Sequence, residues 1–330
     1  MDGGRPYCNR AAHSLSPEAL VTFDAAPKPR VPKLPENPEG GVGRFPSWLH
    51  RPLPSNPDFD KTSALLDDAH LPTVCEEAKC PNRFECYSKK TATFLVCGSA
   101  CTRACGFCDI DHAKNPPPLD AEEPIRLART AKTLGLRHVV ITMVARDDLE
   151  DGGGGHLVQI IRAVRHESPG STLELLTSDL EGKESSIDLV LNERPEIFNH
   201  NIETVERLTP RVRHTATYAR SLDVLRHAKR SGKTEWIKSG LMVGLGEETE
   251  EVEATLRDLK EAGVDIVTIG QYLQPSQKKL RVKAFIPPET FDAYAAYGRS
   301  IGIEQMYCGP FVRSSYNADA LYQRLERPTP

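Results

Sequence analysis

From residue 92 onward, short apolar runs alternate with longer segments in which apolar positions recur every three to four residues. The apolar runs 92–99, 137–144, 172–178, 196–203, 235–244, 264–273 and 303–308 read as strands. The periodic segments between them read as helices: Glu122–Leu134, His156–His166, Lys183–Asn192, Ser221–Ser231, Glu247–Ala262 and Phe291–Ser300. Pro116, Pro117, Pro118 and Asp120 prepare the first helix start. The helix from Glu247 opens with acidic residues, as its dipole favours. Six βα units in a row predict a parallel sheet with helices outside. An open doubly wound sheet and a barrel or partial barrel both satisfy that pattern. The segments CGSACTRACGFC, RDDLEDGGGG, NHNIET, GLGEE and QYLQPS fall at the C-terminal ends of strands. In a barrel those ends form one rim, where functional residues gather.

The chain before residue 92 lacks this rhythm. Residues 1–60 are rich in proline and read as an extended arm, with Trp48 and Leu49 favouring docking of its last part on the body. Residues 61–91 form a small lead-in, with a short helix over Lys61–His70 and then a loop-rich segment.

Composition adds limits. The 330 residues suffice for one domain of barrel size or two ordinary ones. A net charge of -4 gives no broad basic surface, so nucleic acid is not an expected partner. No apolar run is long enough to span a membrane, so no membrane partner is expected. Positions 1–30 contain no apolar signal core, which argues against secretion. We expect a cytoplasmic protein, with a mitochondrial or plastid matrix as the alternative. Six of the nine cysteines fall between Cys75 and Cys108, in metal-like spacing, so thiolates on metal in a reducing compartment are a better reading than disulfides.

Those six form two triplets, Cys75-x4-Cys80-x5-Cys86 and Cys101-x3-Cys105-x2-Cys108. The second spacing is tight for tetrahedral zinc, which usually takes four ligands from paired units. Three thiolates can instead hold a 4Fe–4S cluster by three corners and leave the fourth iron open to a small molecule. Phe107, just before the last cysteine, would shield such a cluster from water on one side. A fourth ligand for the first triplet could come from Cys8, Cys97, Cys308 or a residue other than cysteine.

CTRACGFC after the first strand of a βα series resembles the motif of the radical S-adenosylmethionine (SAM) superfamily. The match narrows with CEEAKCPNRFEC, which resembles the auxiliary-cluster motif of the lipoyl synthases. ATFLVCGSACTRACGFC, FNHNIETVERLTPRVR, KSGLMVGLGEE, TIGQYLQPS and GPFVRSSYNAD resemble segments of that family in the same order, over about residues 70–320.

The resemblance implies an α/β fold: a partial (β/α)6 barrel of the TIM type over residues 92–308. The proline-rich arm 1–60, the auxiliary-cluster segment 61–91 and a tail 309–330 would extend over the open rim. It implies two 4Fe–4S clusters, with SAM as co-substrate. Cys101, Cys105 and Cys108 would hold the cluster whose open iron binds SAM. Cys75, Cys80 and Cys86 would hold the auxiliary cluster, completed by Ser315 of Arg313-Ser314-Ser315-Tyr316. Ser315 and Arg313 are thus expected to act at the reacting centre. The activity implied is insertion of two sulfur atoms, at C6 and C8 of an octanoyl chain on a carrier lysine.

The implied partners are an octanoylated lipoyl-carrier domain, from a 2-oxoacid dehydrogenase E2 subunit or a glycine-cleavage H protein, and an electron donor such as flavodoxin or ferredoxin. A monomer is expected. By the same resemblance Gly152 and Gly153 would meet the methionyl amino group, and the GLMVGLGEE stretch would face adenine. Asn201 and Glu203 would bond the ribose hydroxyls, with His200 close by. Val144 or Leu273 would hold the alkyl chain. Cys97 and Cys308 read as buried free thiols and Cys8 as an exposed tail residue. The turn Thr177-Ser178-Asp179-Leu180 and the loop RVKAFIPPETF depart from the family pattern, and the loop reads as carrier-facing.

Overall fold

The computed structural model describes residues 45–50 and 57–315. The expectations for the arm before residue 45, for Cys8 and for Tyr316 onward lie outside the described residues.

Seven parallel strands form the sheet: β1 (Thr93–Val96), β2 (His138–Met143), β3 (Thr172–Leu176), β4 (Ile197–Asn199), β5 (Trp236–Val243), β6 (Ile266–Gln271) and β7 (Gln305–Gly309). They are hydrogen-bonded in simple sequence order. A doubly wound sheet would reverse direction at a switch point, and this one never does. Among the described residues β1 and β7 do not pair with each other, so the barrel is partial and open at one seam. The helices α4 (Glu123–Leu134), α5 (Gly154–Glu167), α6 (Glu184–Leu191), α8 (Tyr218–Ser231), α9 (Thr249–Glu261) and α10 (Pro288–Ser300) supply the crossovers. A short α7 (Thr209–Val212) lies between β4 and α8. No helix among the described residues is long and apolar enough to cross a membrane.

The strands are buried because their outward faces meet the helices and their inward faces meet one another. Val139, Ile141, Leu173 and Leu175 are at most 1% exposed, and Leu127, Ile160 and Val190 from the helices pack into the same core. β4 is shorter than its polar end suggested. It stops at Asn199; the buried His200 beyond it donates from Nδ1 to the Thr177 carbonyl and meets Ser221 Oγ through Nε2, while its backbone N still donates to the Lys238 carbonyl.

Before the barrel, α1 (Pro57–Asp68) precedes α2 (Val74–Glu77) and α3 (Arg83–Ser88). The expectation of a loop-rich segment after the first helix is corrected here. Cys75 lies in α2 and Cys86 in α3, with Cys80 in the turn that joins them. Tyr87 anchors this unit. Its ring packs 5.7 Å from Phe59, its hydroxyl bonds Thr73 Oγ1 at 2.7 Å, and its carbonyl accepts from Thr62 Oγ1. Thr73 forms an antiparallel bridge with Phe94, and Leu95 N donates to the Pro72 carbonyl. The first triplet is thereby fixed along the free edge of β1. At the end of the arm, Leu49 is buried while Trp48 stays exposed, and Phe45 meets Phe285 edge-on.

Deep in the barrel lies an ion pair. Lys238 Nζ of β5 reaches both oxygens of Glu174 on β3, at 2.8 and 3.0 Å. Asn199 Nδ2 donates to the same carboxylate at 2.9 Å, and His138 Nε2 lies 3.6 Å away. Burial raises the Glu174 pKa, but Lys238 and His138 outweigh it and hold the group down to about 2. A depressed carboxylate stabilises the fold above its ordinary pKa, and that contribution is lost as pH falls from about 4.5 towards 2. Lys238→Met strands the charge and should cost about 3–5 kcal/mol. It should lower the apparent melting temperature by on the order of 10 °C. Lys238→Met/Glu174→Leu should recover most of that loss. A double variant melting as low as the single one would show that the ion pair is not the cause.

Candidate functional site

At the C-terminal ends of the strands lies a cavity of about 470 Å³. All six cysteines of the two triplets line it, and so do Val312, Arg313, Ser314 and Ser315. The barrel contributes Leu95, Thr142, Leu176, Gly240, Thr268 and Gly270 from its strands. The reactive groups thus come from loops and from the short helices α2 and α3, set over a rigid sheet.

Within each triplet the thiols are close enough to perturb one another. Burial pushes Cys75 up to about 12, with Cys80 adding to it, and pushes Cys86 higher still, with Cys75 and Cys80 adding. Burial raises Cys105 to about 11 against the pull of Arg213, with Cys101 adding, and Cys108 to about 12, with Cys105 and Cys101 adding. Thiols so placed keep their protons until a cation supplies the opposing charge, which is how a metal site is expected to look without its metal. Among the described residues no three His, Cys, Asp or Glu side chains are placed to hold a single metal ion. A cubane does not require that, because its thiolates bind different irons. Three thiolates in each triplet fit a cluster of that kind.

The loop of the second triplet is held by charges that the motif alone did not reveal. Arg103 is 7% exposed and grips Asp147 with Nε at 2.8 Å and Nη2 at 2.7 Å, while Nη2 also reaches Asp179 at 2.6 Å. Burial would raise Asp179, but Arg103 overcomes it and holds the group at about 2. Thr102 Oγ1 donates to Asp147 as well. The RDD stretch after β2 and the departing Thr177-Ser178-Asp179-Leu180 turn therefore act as clamps on the cysteine loop. An arginine amid thiolates, with acidic residues at the ends of the next strands, was the available signal. Arg103→Lys cannot span both carboxylates. Iron held by this loop should weaken about 10–100-fold, as for other outer partners of metal ligands. Iron retention under chelator challenge would measure it, and wild-type retention would sink the idea.

Gly152 and Gly153 do not line the cavity. Both have positive φ, 64° and 92°, and Gly153 caps α5. A side chain on Gly153 would press on Met143 and Cys97. These glycines shape the turn and pack against the core.

Phe107, Asn201, Glu203 and His200 do line it, as do Val144 and Leu273. Asn201 Nδ2 donates to Glu203 Oε1 at 3.1 Å, while Asn201 Oδ1 and Thr177 Oγ1 are buried without a hydrogen-bond partner. Two orphaned polar atoms on a cavity wall suit a polar ligand. Burial raises the Glu203 carboxyl, opposed by Arg213 and Asn201. Arg213, unassigned from sequence, donates to the carbonyls of Asn201 and Ile202 and to Ser221 Oγ, and so fixes this strand end. Burial lowers His200 to about 4, so it is neutral near pH 7. From the adenine-facing stretch, Gly240, Leu241 and Met242 reach the cavity. Cys97 is fully buried against Gly153 and does not line the cavity. Cys308 lies on β7, packed against the core. In the RVKAFIPPETF loop, Ala284 and Ile286 are buried, so that loop is partly core.

Residues 95–259 match the model of the radical SAM superfamily. The chain is 58% identical over 306 residues to the lipoyl synthase of Protochlamydia amoebophila, covering 90% of this chain and 95% of that one. It is 53% identical to the lipoyl synthase of Chlamydia trachomatis serovar L2, covering 86% and 91%. Among solved structures, Streptococcus suis SuiB bound to S-adenosylmethionine superposes with a TM-score of 0.52 at 13% identity, over 69% of this chain and 54% of that one. At that identity the likeness concerns the fold alone.

Proposed function

Because this chain belongs to the lipoyl synthase family of the radical SAM superfamily, we infer its reaction from that membership and the role of each residue from the cavity. The enzyme inserts sulfur at C6 and C8 of an octanoyl-lysine on a lipoyl-carrier domain. When bound, a 4Fe–4S cluster held by Cys101, Cys105 and Cys108 would supply the electron for cleavage of SAM, and an auxiliary cluster held by Cys75, Cys80 and Cys86 would supply the sulfur.

The observation that carries the residue assignments is that both cysteine triplets and Ser315 face one cavity. Cys101, Cys105 and Cys108 hold the SAM-binding cluster. Cys75, Cys80 and Cys86, with Ser315, hold the auxiliary cluster. Phe107 keeps water from the first of these. Asn201 and Glu203 accept the ribose hydroxyls, the unpartnered Asn201 Oδ1 being the available acceptor. Val144 and Leu273 offer apolar surface to the alkyl chain. Arg313 donates to the Val312 carbonyl at 2.7 Å and shapes the turn before Ser315.

Residues 61–91 are the auxiliary-cluster segment, 92–308 the catalytic barrel and 309–330 the tail with the serine ligand. The E2 subunit of a 2-oxoacid dehydrogenase or a glycine-cleavage H protein presents the substrate, and a flavodoxin or ferredoxin delivers electrons. The enzyme works as a cytoplasmic monomer. An anaerobic assay with an octanoyl-lysyl peptide, SAM and reductant tests the activity. Product mass must rise by two sulfurs, and an unchanged peptide beside intact clusters would refute the reading.

A further inference from the structure

The open seam of the barrel separates β1, which carries the first triplet along its edge, from β7, which leads to Ser315. Two residues other than the cysteines and the Arg-Ser-Ser-Tyr motif bear on this seam: Asn82, within CEEAKCPNRFEC, and Gly270 on β6. Asn82 is 1% exposed, and its Nδ2 donates to the Phe311 carbonyl at 2.7 Å, across 229 positions of sequence. The same residue is bound into the triplet, because its own carbonyl accepts from Cys86 N at 2.9 Å. Gly270 pairs with Gly309 between β6 and β7. A Cβ on Gly270 would run into the Val312 carbonyl and would stand 3.1 Å from Arg313 Nη1. Backbone is the obstacle there, so no rotamer change relieves it.

We propose that Asn82 and Gly270 form the socket that seats segment 309–315 across the seam and brings Ser315 to the first triplet. Both are positioning residues: Asn82 supplies the donor that ties the segment to the cysteine turn, and Gly270 supplies the space in which it lies flat on β6. The proposal rests on the reading of Ser315 as auxiliary-cluster ligand. Among the described residues β1 and β7 do not pair, and the Asn82 amide makes its link across the seam through a side chain.

The test uses the anaerobically purified holoenzyme and two readouts, amide exchange over residues 309–315 and sulfur inserted per 5′-deoxyadenosine formed. Gly270→Ala should speed exchange of that segment about tenfold, as loss of a docked segment implies. The sulfur yield per radical should fall by about the same factor or more. Asn82→Asp keeps the shape and loses the donor, and should act as Asn82→Ala does. If Gly270→Ala does not fold, Asn82→Asp carries the test. Unchanged exchange and unchanged sulfur yield in Asn82→Asp would overturn the socket. Ser315→Ala is the separate control: full sulfur insertion there would refute the ligand reading instead.

Discussion

Cys101→Ala abolishes formation of 5′-deoxyadenosine, and product formation with it. Cys101 opens the second triplet and lies within electrostatic reach of Cys105 and Cys108. Three thiolates are the whole protein ligation of the proposed SAM-binding cluster, because the fourth corner is left for SAM. Removing one leaves two anchors, and a cluster so held is lost or loses the open iron. Iron should fall from about eight per chain to about four. Cys97→Ser is the matched control four residues upstream. Its thiol is fully buried and does not line the cavity, so iron content and SAM cleavage should stay near wild type. The check is 5′-deoxyadenosine after dithionite reduction, quantified by mass spectrometry. SAM cleavage persisting in Cys101→Ala would refute the assignment.

Cys75→Ala separates the two halves of the reaction. Cys75 lies in α2 on the edge of β1, and its neighbours in charge are Cys80 and groups of the same small unit. The loop of the second triplet is clamped independently, by Arg103 on Asp147 and Asp179. Loss of Cys75 should therefore leave radical generation intact while removing the sulfur source. The expected result is 5′-deoxyadenosine without any gain of sulfur on the octanoyl-lysyl peptide. Lipoyl product from this variant would overturn the division of labour between the triplets. Loss of both activities would mean that the two sites are coupled through the cavity they share.

Part of the fold was legible because helices and strands leave local periods. The helix expected at His156–His166 begins at Gly154, since glycine carries no apolar signal at its start. The strand expected over 196–203 is regular only to Asn199; beyond it the chain keeps separate bonds to β5, His200 N to the Lys238 carbonyl and Glu203 N to the Gly240 carbonyl, and not a continuous ladder. α2 and α3 were missed: four and six residues are too few to show a helical period.

By itself, the sequence determined the βα alternation, the two cysteine triplets and the chemistry such thiols support. Each of these is a short-range property, written in periodicity or in spacing within one loop. Only the tertiary structure decided that the strands run in simple order around a partial barrel, since a doubly wound sheet has the same local pattern. Only it brought both triplets to one cavity, set Arg103 between two distant carboxylates, and joined Asn82 to Phe311 across the seam. Contacts between residues so far apart leave no local trace, because they are selected by strand order and by burial of charge, not by neighbours in the chain.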